Sequence, residues 1–447
     1  MQKRHRGLAS LVLLGVLLLL VGACQRTTPP PTPTPLPTPT PTPAHTPVPS
    51  PTPASFPLGE QVLEWARRLV ALSPRDTVSG RERQAAAFLQ EALAQMGYAV
   101  RTQEFPVTLT HSEVVVLAPT PGTIENAHML RSGEGEVEGE VVFVGLARRE
   151  DLPAEGVRGR IALADRGSIT FQEKAQAVAE AGAVALVVAN NQPGLFQGAL
   201  QHSAPLPVVS ISQEEGQRLK GLLAQGTVRL RVRVWSQDYP SQNIIAERPG
   251  TPPGARVVLL TAHYDTVEGV PGANDNASGT GALLTLAQRL REHSFPFALR
   301  FIAFGGEEEG LFGSRFYVQS LSPEEREGIL AVLNLDVIGS AVRLATAGDF
   351  ALQQTVLDAG RQIGIAVAGI NLRDAPSDHL PFIQAGIPAV LLTTPDFRLI
   401  HTPQDRLEFL DVENLENTVR VVEAVLQRLA SGQRQSRLQP VALGARG

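Results

Sequence analysis

The second half of the chain contains a series of histidine and acidic residues of the types that bind divalent metal ions. In chain order they are His263, Asp265, Asp275, Glu307, Glu308, Asp336 and His401. Imidazole nitrogen and carboxylate oxygen, without sulfur, form the ligand set expected for catalytic zinc or a similar ion. One ligand from each of the five segments gives three carboxylates and two imidazoles, which is too many for one open four-coordinate ion. The residue types therefore predict two ions that share a bridging carboxylate and a water, as in many hydrolases.

The elements that must position these residues are short apolar strands, each followed by one of the candidate ligands. These predicted strands are 257–260, 299–304, 331–335 and 389–392, and helical segments alternate with them. The pattern predicts an α/β fold with a mixed, mostly parallel sheet that helices cover on both faces. In such sheets the active crevice lies at the carboxyl ends of the strands. A single His-x-Asp or Glu-Glu pair is weak evidence, because paired acids often form a solvated helix start, but five segments in order are a much stronger signal.

The order of these segments resembles one family of enzymes. The chain contains His-x-Asp at 263–265, Gly-Ala-Asn-Asp-Asn-Ala-Ser-Gly at 272–279, Glu-Glu-x-Gly-Leu-x-Gly-Ser at 307–314, Asn-x-Asp at 334–336 and His-Thr-Pro-x-Asp at 401–405. This set resembles the M28 family of zinc metallopeptidases, of the aminopeptidase type, which have a phosphorylase/hydrolase-like fold. The resemblance implies hydrolysis of the first peptide bond of peptides that have a free N-terminus.

The resemblance also implies a role for each residue of the centre. Five side chains would hold two Zn²⁺ ions: His263 with Asp336, Glu308 with His401, and Asp275 as the bridge. A hydroxide between the two ions would attack the peptide carbonyl, with Glu307 as the general base. Asp265 would assist catalysis by hydrogen-bonding the outer nitrogen of His263, which fixes the tautomer of that ring.

Other positions leave alternatives open. Ile400 stands where some members of the family have a tyrosine that steadies the tetrahedral intermediate, so that role has no residue assigned. The motif Ser377-Asp378-His379 resembles a family motif near the substrate pocket, and His379 is either a pocket residue together with Asp378 or a structural histidine. The same scaffold hosts carboxypeptidases and glutaminyl cyclases. From a different class, a receptor-like module without catalysis would be indicated by missing ligands, and the sequence contains all of them.

The segment 114–235 differs in character from its surroundings, since it alternates strand-like and helix-like runs without clusters of charged residues or histidines. It has Lys174-Ala175 on a predicted helix and Ala181-Gly182 before an apolar strand. This order resembles the β-rich protease-associated (PA) domain that several peptidase families carry as an insertion. A generic insertion without a recognition role is the alternative. The catalytic domain is then expected to comprise 58–113 and 236–430.

The N-terminal residues have the order of an export signal. Basic residues precede a largely apolar stretch, and Val21-Gly22-Ala23-Cys24 resembles the bacterial lipobox. We expect residues 1–23 to be a lipoprotein signal peptide. Lipidated Cys24 would then anchor an exported protein on the outer side of the cytoplasmic membrane or at the cell surface. An ordinary secretory signal or an anchor helix is the alternative. The Thr-Pro repeats of 24–57 predict an extended spacer.

Composition excludes several kinds of chemistry. Cys24 is the only cysteine among 447 residues, so disulfides within the chain, thiolate metal ligands and a cysteine nucleophile in the folded part are excluded. The net charge of -5 gives no electrostatic basis for nucleic-acid binding. Lysine is absent after Lys220, so the half that contains the candidate ligands has no lysine for Schiff-base chemistry. Residues 431–447 are expected to form a tail.

Overall fold

The computed structural model describes residues 56–249, 251, 255–371 and 376–438. The predicted signal peptide, the lipidation site Cys24 and nearly all of the predicted spacer lie outside these residues. Within the described part of the chain, no helix combines the length and the apolar character that crossing a membrane requires.

Ten α-helices and fourteen strands form the part of the chain that the structure describes. The helices are α1 (Leu58–Val70), α2 (Glu82–Gln95), α3 (Phe171–Glu180), α4 (Gln213–Leu223), α5 (Gly279–Leu290), α6 (Phe312–Ser320), α7 (Pro323–Gly328), α8 (Phe350–Gln362), α9 (His379–Gln384) and α10 (Val412–Leu438). The strands are β1 (Ala99–Ala118), β2 (Gly122–Ile124), β3 (Asn126–His128), β4 (Gly135–Phe143), β5 (Ile161–Asp165), β6 (Ala185–Ala189), β7 (Val208–Ile211), β8 (Arg229–Glu247), β9 (Val257–His263), β10 (Ala298–Phe304), β11 (Ile329–Leu335), β12 (Ala345–Gly348), β13 (Ala368–Gly369) and β14 (Ala389–Thr393).

The C-terminal half is built on a sheet with parallel strands at its centre and antiparallel strands beside them. Strands β14, β11, β9 and β10 lie side by side in that order, and each neighbouring pair is parallel. Strand β12 pairs antiparallel with β14, and β8 pairs antiparallel with β10. The carboxyl ends of the central strands therefore meet at one edge of the sheet. The predicted mixed, mostly parallel sheet is confirmed.

Helices cover both faces of this sheet, as the strand pattern predicts. On one face α1, α2, α5, α8 and α10 contribute to a single hydrophobic core. In α1 the buried residues Val62, Ala66 and Leu69 recur at the spacing of one helical face, which explains why this amphipathic segment folds against the sheet. On the other face α6 and α9 pack through Tyr317 and Phe382.

Strands β1 and β8 form a long antiparallel ribbon that joins the larger lobe to a smaller one. Their register runs from Ala99 opposite Glu247 to Ala118 opposite Arg229. One end of β8 pairs with β10 of the central sheet of the larger lobe, and the other end pairs with β4 of the smaller lobe. The predicted domain junctions at 113/114 and 235/236 fall inside these two strands, because the ladder of hydrogen bonds continues across them.

The smaller lobe has its own core. Strands β4, β5, β6 and β7 are parallel neighbours, and apolar clusters lie on both sides of them, one including Leu219 of α4 and the other Val178 of α3. Helix α3 starts at a capping box, in which Thr170 and Glu173 satisfy each other's main-chain N–H groups. At the other end of the chain, α10 continues to Leu438, so the predicted tail at 431–447 begins inside this helix.

Candidate metal centre

The candidate ligands converge because the strands that carry them are parallel neighbours. Strand β9 ends at His263, and Asp336 directly follows β11. Glu307 and Glu308 follow β10 after two glycines, and His401 lies in the loop after β14. Since these strands end at the same edge of the sheet, residues far apart in the sequence face one shared space.

Asp275 lies in the middle of this group, in the segment Ala273–Ser278 that precedes α5, and its own backbone is not helical. Its Oδ1 atom is 3.1 Å from Nε2 of His263, and its Oδ2 atom is 3.1 Å from Nε2 of His401. Nε2 of His263 also lies 3.2 Å from Oδ1 of Asp336, and Nε2 of His401 lies 3.1 Å from Oε2 of Glu308. The side chains form two groups of three that share Asp275, and the ligand atoms of each group lie within 4.8 Å of one another.

The donor atoms of these two groups are of the types that bind divalent metal ions. Each Nε2 atom faces two carboxylate oxygens, so these close approaches need a proton or a cation between the atoms. Oε1 of Glu308 is buried without a hydrogen-bond partner among the described residues. Burial and the carboxylate of Asp275 raise the pKa of Glu308 to about 7, which indicates a shortage of positive charge. Imidazole and carboxylate donors fit zinc.

The same contacts determine where protons are held. Burial alone would lower the pKa of His263, but Asp336 and Glu307 raise it well above its ordinary value. Hydrogen bonds to Asp275 and Glu308 raise the pKa of His401 to about 10. Burial would raise the pKa of Asp275, yet its contacts with both imidazoles keep it below the usual value. A divalent ion that binds between imidazole and carboxylate would displace these protons.

Asp265 is fully buried behind His263. Its Oδ1 atom lies 3.5 Å from Nδ1 of His263, which is within ion-pair range but longer than an ordinary hydrogen bond. Its Oδ2 atom accepts a hydrogen bond of 3.1 Å from the main-chain N–H of Glu308. Asp265 therefore contacts a residue of each group, the ring of His263 in one and the main chain of Glu308 in the other.

Glu307 lies beside the two groups and lines the cavity in front of them. Burial raises the pKa of Glu307 well above its ordinary value. The charge of His263 opposes this shift, and the carboxylates of Asp378, Asp336 and Glu308 add to it. A carboxyl group with a strongly shifted pKa in a cavity is a candidate for a functional role.

A polar chain behind Asp336 was not found by sequence reasoning. Oγ1 of Thr261 donates a hydrogen bond of 2.7 Å to Oδ1 of Asn334, and Nδ2 of Asn334 donates one of 2.8 Å to Oγ of Ser377. Oγ of Ser377 then donates a hydrogen bond of 2.7 Å to Oδ2 of Asp336. Asn334 and Ser377 both lie in recognisable motifs, but nothing in the sequence shows that their side chains meet.

A cavity of about 500 Å³ opens in front of the two groups. Its acidic side is formed by Asp275, Glu307, Glu308 and Asp336, with His401 beside them. The apolar part of its lining, the apolar wall, includes Leu311, Val337, Leu391, Phe397 and Ile400. Arg315 of α6 is the one lysine or arginine among the described residues that line the cavity. The cavity thus combines an acidic side, an apolar wall and a single guanidinium group.

The two remaining candidate residues lie deeper in the protein. Asp378 is fully buried, and His379, at the start of α9, is 3% exposed. Burial lowers the pKa of His379 to about 4 and raises the pKa of Asp378 to about 7. Their neighbour Ser377 lines the cavity, so Asp378 and His379 lie next to the centre but behind the cavity wall. A role of either residue in substrate binding stays a prediction.

Three residues at the cavity have a left-handed backbone although they are not glycine. The φ angles are 61° at Leu311, 54° at Val337 and 57° at His401. Such a conformation is uncommon, and for a β-branched residue such as Val337 it is an outlier. The carbonyl oxygen of Val337 accepts hydrogen bonds from the main-chain N–H of Thr394 at 2.7 Å and from its Oγ1 at 2.8 Å. These bonds hold the strained residue next to Asp336.

Comparisons with known proteins agree with this geometry. The family model described as peptidase family M28 matches residues 243–426, and the model described as PA domain matches residues 131–219. Aminopeptidase YwaD of Bacillus subtilis (strain 168) is 30% identical over 388 residues, which cover 80% of this chain and 81% of the relative. The probable lipoprotein aminopeptidase LpqL of Mycobacterium tuberculosis is 33% identical over 265 residues, which cover 57% of this chain and 52% of the relative.

Among solved structures, BSAP, a zinc aminopeptidase from Bacillus subtilis, is similar to this chain with a TM-score of 0.67 and 28% sequence identity. The similarity covers 83% of this chain and 95% of that one. The predicted PA domain is confirmed by the matching family model.

Proposed function

The chain belongs to peptidase family M28, and on that premise we propose that it is a zinc aminopeptidase that removes N-terminal residues from peptides. Family membership makes it a hydrolase of peptide bonds. The choice of the N-terminal bond is supported by YwaD and BSAP, which are both named aminopeptidases. The single observation that carries the proposal is the shared carboxylate of Asp275, whose two oxygens face His263 and His401.

Two zinc ions are the proposed cofactor, and five side chains would hold them: His263 with Asp336, Glu308 with His401, and Asp275 between. Bound zinc would lower the pKa of a shared water toward about 7, so that a bridging hydroxide is available, and would polarise the substrate carbonyl. Glu307 accepts a proton from the attacking water and returns it to the leaving amine. The place of Glu307 in the cavity lining, directly beside Glu308, supports this assignment. Asp265 orients the ring of His263.

The cavity supports a preference for an apolar first residue. The positively charged α-amino group of a peptide is attracted to the acidic side, which contains Glu307 and Glu308. The first side chain then lies against the apolar wall formed by residues such as Leu311, Val337 and Phe397. We therefore propose peptides with a free N-terminus and an apolar N-terminal side chain as the substrate class.

A carboxypeptidase is the second candidate because of Arg315. A guanidinium group binds carboxylates in a bidentate way, and Arg315 lines the cavity from α6. The named aminopeptidases among the relatives favour the first candidate. They do not favour a glutaminyl cyclase or a module without catalysis.

We also propose that the chain is exported and anchored through lipid at Cys24. The proposal is supported by the lipobox-like sequence around this residue and by the name of LpqL, a probable lipoprotein aminopeptidase. Lipid attached at Cys24, before the Thr-Pro-rich spacer, would tether the catalytic lobe to a membrane surface through that spacer.

Blocked peptides distinguish the two candidate activities. We expect the purified protein to release leucine from Leu-Gly-Gly and from its C-terminal amide, and to leave the N-acetylated peptide intact. Hydrolysis of the acetylated peptide combined with loss of activity on the amide would establish the carboxypeptidase instead.

Removal of metal tests the cofactor. Elemental analysis should find about two divalent ions per chain, as a shared bridging ligand requires. Chelation should abolish activity, and zinc or cobalt should restore it. Full activity after chelation, with loss of metal confirmed by elemental analysis, would contradict the proposal.

A further inference from the structure

Arg75 is a fully buried arginine in the segment between α1 and α2. Its guanidinium group donates hydrogen bonds from Nε to the carbonyl oxygen of Tyr264 at 2.7 Å and from Nη2 to that of Gly272 at 2.9 Å. Nη1 donates to the carbonyl oxygen of Pro271 at 3.1 Å and to Oγ of Ser73 at 2.6 Å. All four acceptors are uncharged oxygens. Arg75 thus connects the loop after His263 with the loop that leads to Asp275.

The positive charge of Arg75 is offset by the acidic centre rather than by an adjacent ion-pair partner. Burial lowers its pKa to about 10, and the charges of Asp265, Asp405, Asp275 and Glu308 oppose that shift. Burying a guanidinium group is costly unless its charge is balanced and its donors are satisfied. The nearby acidic groups offset the charge of Arg75, and the three carbonyl oxygens and Oγ of Ser73 accept hydrogen bonds from its guanidinium group.

Asp405 holds the same loop through the loop's main-chain N–H groups. Its Oδ1 atom accepts a hydrogen bond of 2.8 Å from the main-chain N–H of Asn274, and its Oδ2 atom accepts one of 3.0 Å from the main-chain N–H of Asp275. Asp405 is 2% exposed and follows His401 in the same loop. The carboxylate of Asp405 therefore connects the loop that contains His401 to the main chain of Asp275.

The loop between these two contacts has little freedom to move. Gly272 has a φ of +63°, and a Cβ atom there would come within 2.2 Å of Cγ2 of Thr266 and 2.5 Å of the carbonyl oxygen of Asp275. Only glycine fits such a left-handed and crowded position. Arg75 donates hydrogen bonds to main-chain carbonyl oxygens just before Asp275, including that of Gly272. Asp405 accepts hydrogen bonds from main-chain N–H groups up to and including that of Asp275. The tight turn at Gly272 is therefore part of the segment that the two side chains hold.

We propose that Arg75 and Asp405 form a clamp that positions Asp275 as the carboxylate shared by two metal ions. The inference rests on the proposed function. A bridging carboxylate must present each oxygen to a different ion, so small rotations of its main chain remove one ligand from its ion. Arg75 and Asp405 touch neither the proposed substrate nor the reacting atoms, and they act through the loop of Asp275. They are positioning residues.

Two conservative variants test the clamp, and only the first of them keeps the charge. Arg75→Lys keeps the positive charge but cannot reproduce the planar set of donors that reaches four acceptors. Asp405→Asn keeps the shape but replaces one acceptor oxygen by an NH₂ group, which then faces a main-chain N–H donor. The matched controls lie in the PA domain: Arg131→Lys, where Nη1 donates to the carbonyl oxygens of Leu200 and Gln201, and Asp151→Asn, where the carboxylate accepts from two main-chain N–H groups.

The main measurement is zinc affinity, obtained by titrating the metal-free full chain against a competing chelator. We expect Arg75→Lys and Asp405→Asn to bind zinc about 10-fold to 100-fold more weakly, the usual effect of removing an outer-shell partner. The absorption spectrum of the cobalt-loaded protein should also change, since the ligand geometry changes. Both control variants should bind zinc as the wild type does, even where their thermal unfolding temperature is lowered.

Several outcomes would overturn the clamp. Zinc affinity and cobalt spectra that are the same in the wild type and in folded Arg75→Lys protein would exclude positioning, and so would an equal loss of affinity in the controls. Should Asp405→Asn yield no folded protein, Arg75→Lys decides the question. Failure of the wild type itself to bind zinc would instead contradict the proposed function, so the two failures are distinguishable.

Discussion

The Oγ atom of Ser377 donates a hydrogen bond of 2.7 Å to Oδ2 of Asp336, the oxygen opposite the one that faces His263. Ser377 therefore fixes the rotation of a proposed metal ligand from the cavity wall. We expect Ser377→Ala to weaken zinc binding by about 10-fold to 100-fold, because outer-shell hydrogen bonds orient ligands. The measurement is zinc titration of the metal-free protein. Ser210→Ala, at a buried serine of the PA domain, is the matched control and should leave zinc binding unchanged.

The adjacent carboxylates Glu307 and Glu308 should have different roles. Glu307→Gln keeps the shape but removes proton acceptance, so turnover should fall by roughly 10²-fold to 10⁴-fold while metal content barely changes. Glu308→Gln should lower the occupancy of one ion, because a neutral amide oxygen is a poorer ligand than a carboxylate, and added metal should restore part of the activity. The measurements are metal stoichiometry and turnover on one unblocked substrate. Loss of a metal in Glu307→Gln together with full metal content in Glu308→Gln would show that the two roles are exchanged.

The apolar wall of the cavity should determine the preferred first residue. Phe397→Ala removes a ring from that wall, so we expect kcat/KM for a leucyl substrate to fall by about 10-fold relative to an alanyl substrate, the scale of apolar pocket contacts. The measurement is a pair of aminoacyl p-nitroanilides assayed with each variant. Phe350→Ala, at a phenylalanine that is 75% exposed, is the control and should leave the ratio unchanged. An unchanged ratio in Phe397→Ala would place the first side chain elsewhere.

Glu82 at the start of α2 should make stability depend on pH. Burial raises its pKa to about 8, and Asp265 adds to the shift while a hydrogen bond from Ser241 opposes it. An unfolded glutamate has a pKa of about 4.3, so between about pH 4.3 and pH 8 the folded state holds a proton that the unfolded chain has lost. The free energy of unfolding contributed by this group therefore falls as pH rises through that window.

Glu82→Gln should remove this part of the pH dependence, because glutamine does not titrate. Urea unfolding of the wild type and of the variant near both ends of the window measures the difference. Glu91→Gln, at an exposed position of the same helix, should keep the wild-type slope. If Glu82→Gln also kept it, the buried carboxyl group would not be the cause.

Cys24 should determine how the protein is attached to the membrane. Cys24→Ala removes the thiol that would carry the lipid, so the variant should remain uncleaved or be released, and it should lose the label when cells are grown with radioactive palmitate. The wild type should carry that label. Equal labelling of both proteins would exclude Cys24 as the lipidation site.

The sequence by itself determined the fold class and the types of residue in the candidate centre. Apolar strand runs and ligand-type residues are local features, and parallel strands bring their carboxyl ends to one edge regardless of how the rest of the domain packs. For this reason His263 and Asp336, which are 73 positions apart, were predicted to share a site and lie in contact in the structure.

Only the tertiary structure decided which atoms support that centre. Arg75 contacts a carbonyl oxygen 197 positions away, and Asp405 accepts a hydrogen bond from a main-chain N–H 130 positions away. Neither contact leaves a periodic or local signal, because a buried guanidinium or carboxylate finds its partners through the packing of distant loops. The position of His379 behind the cavity wall and the continuity of β1 and β8 across the predicted domain junctions have the same origin. Packing and hydrogen bonding between distant segments determine these features. Residue type and spacing indicate local secondary structure and do not show which distant side chains meet.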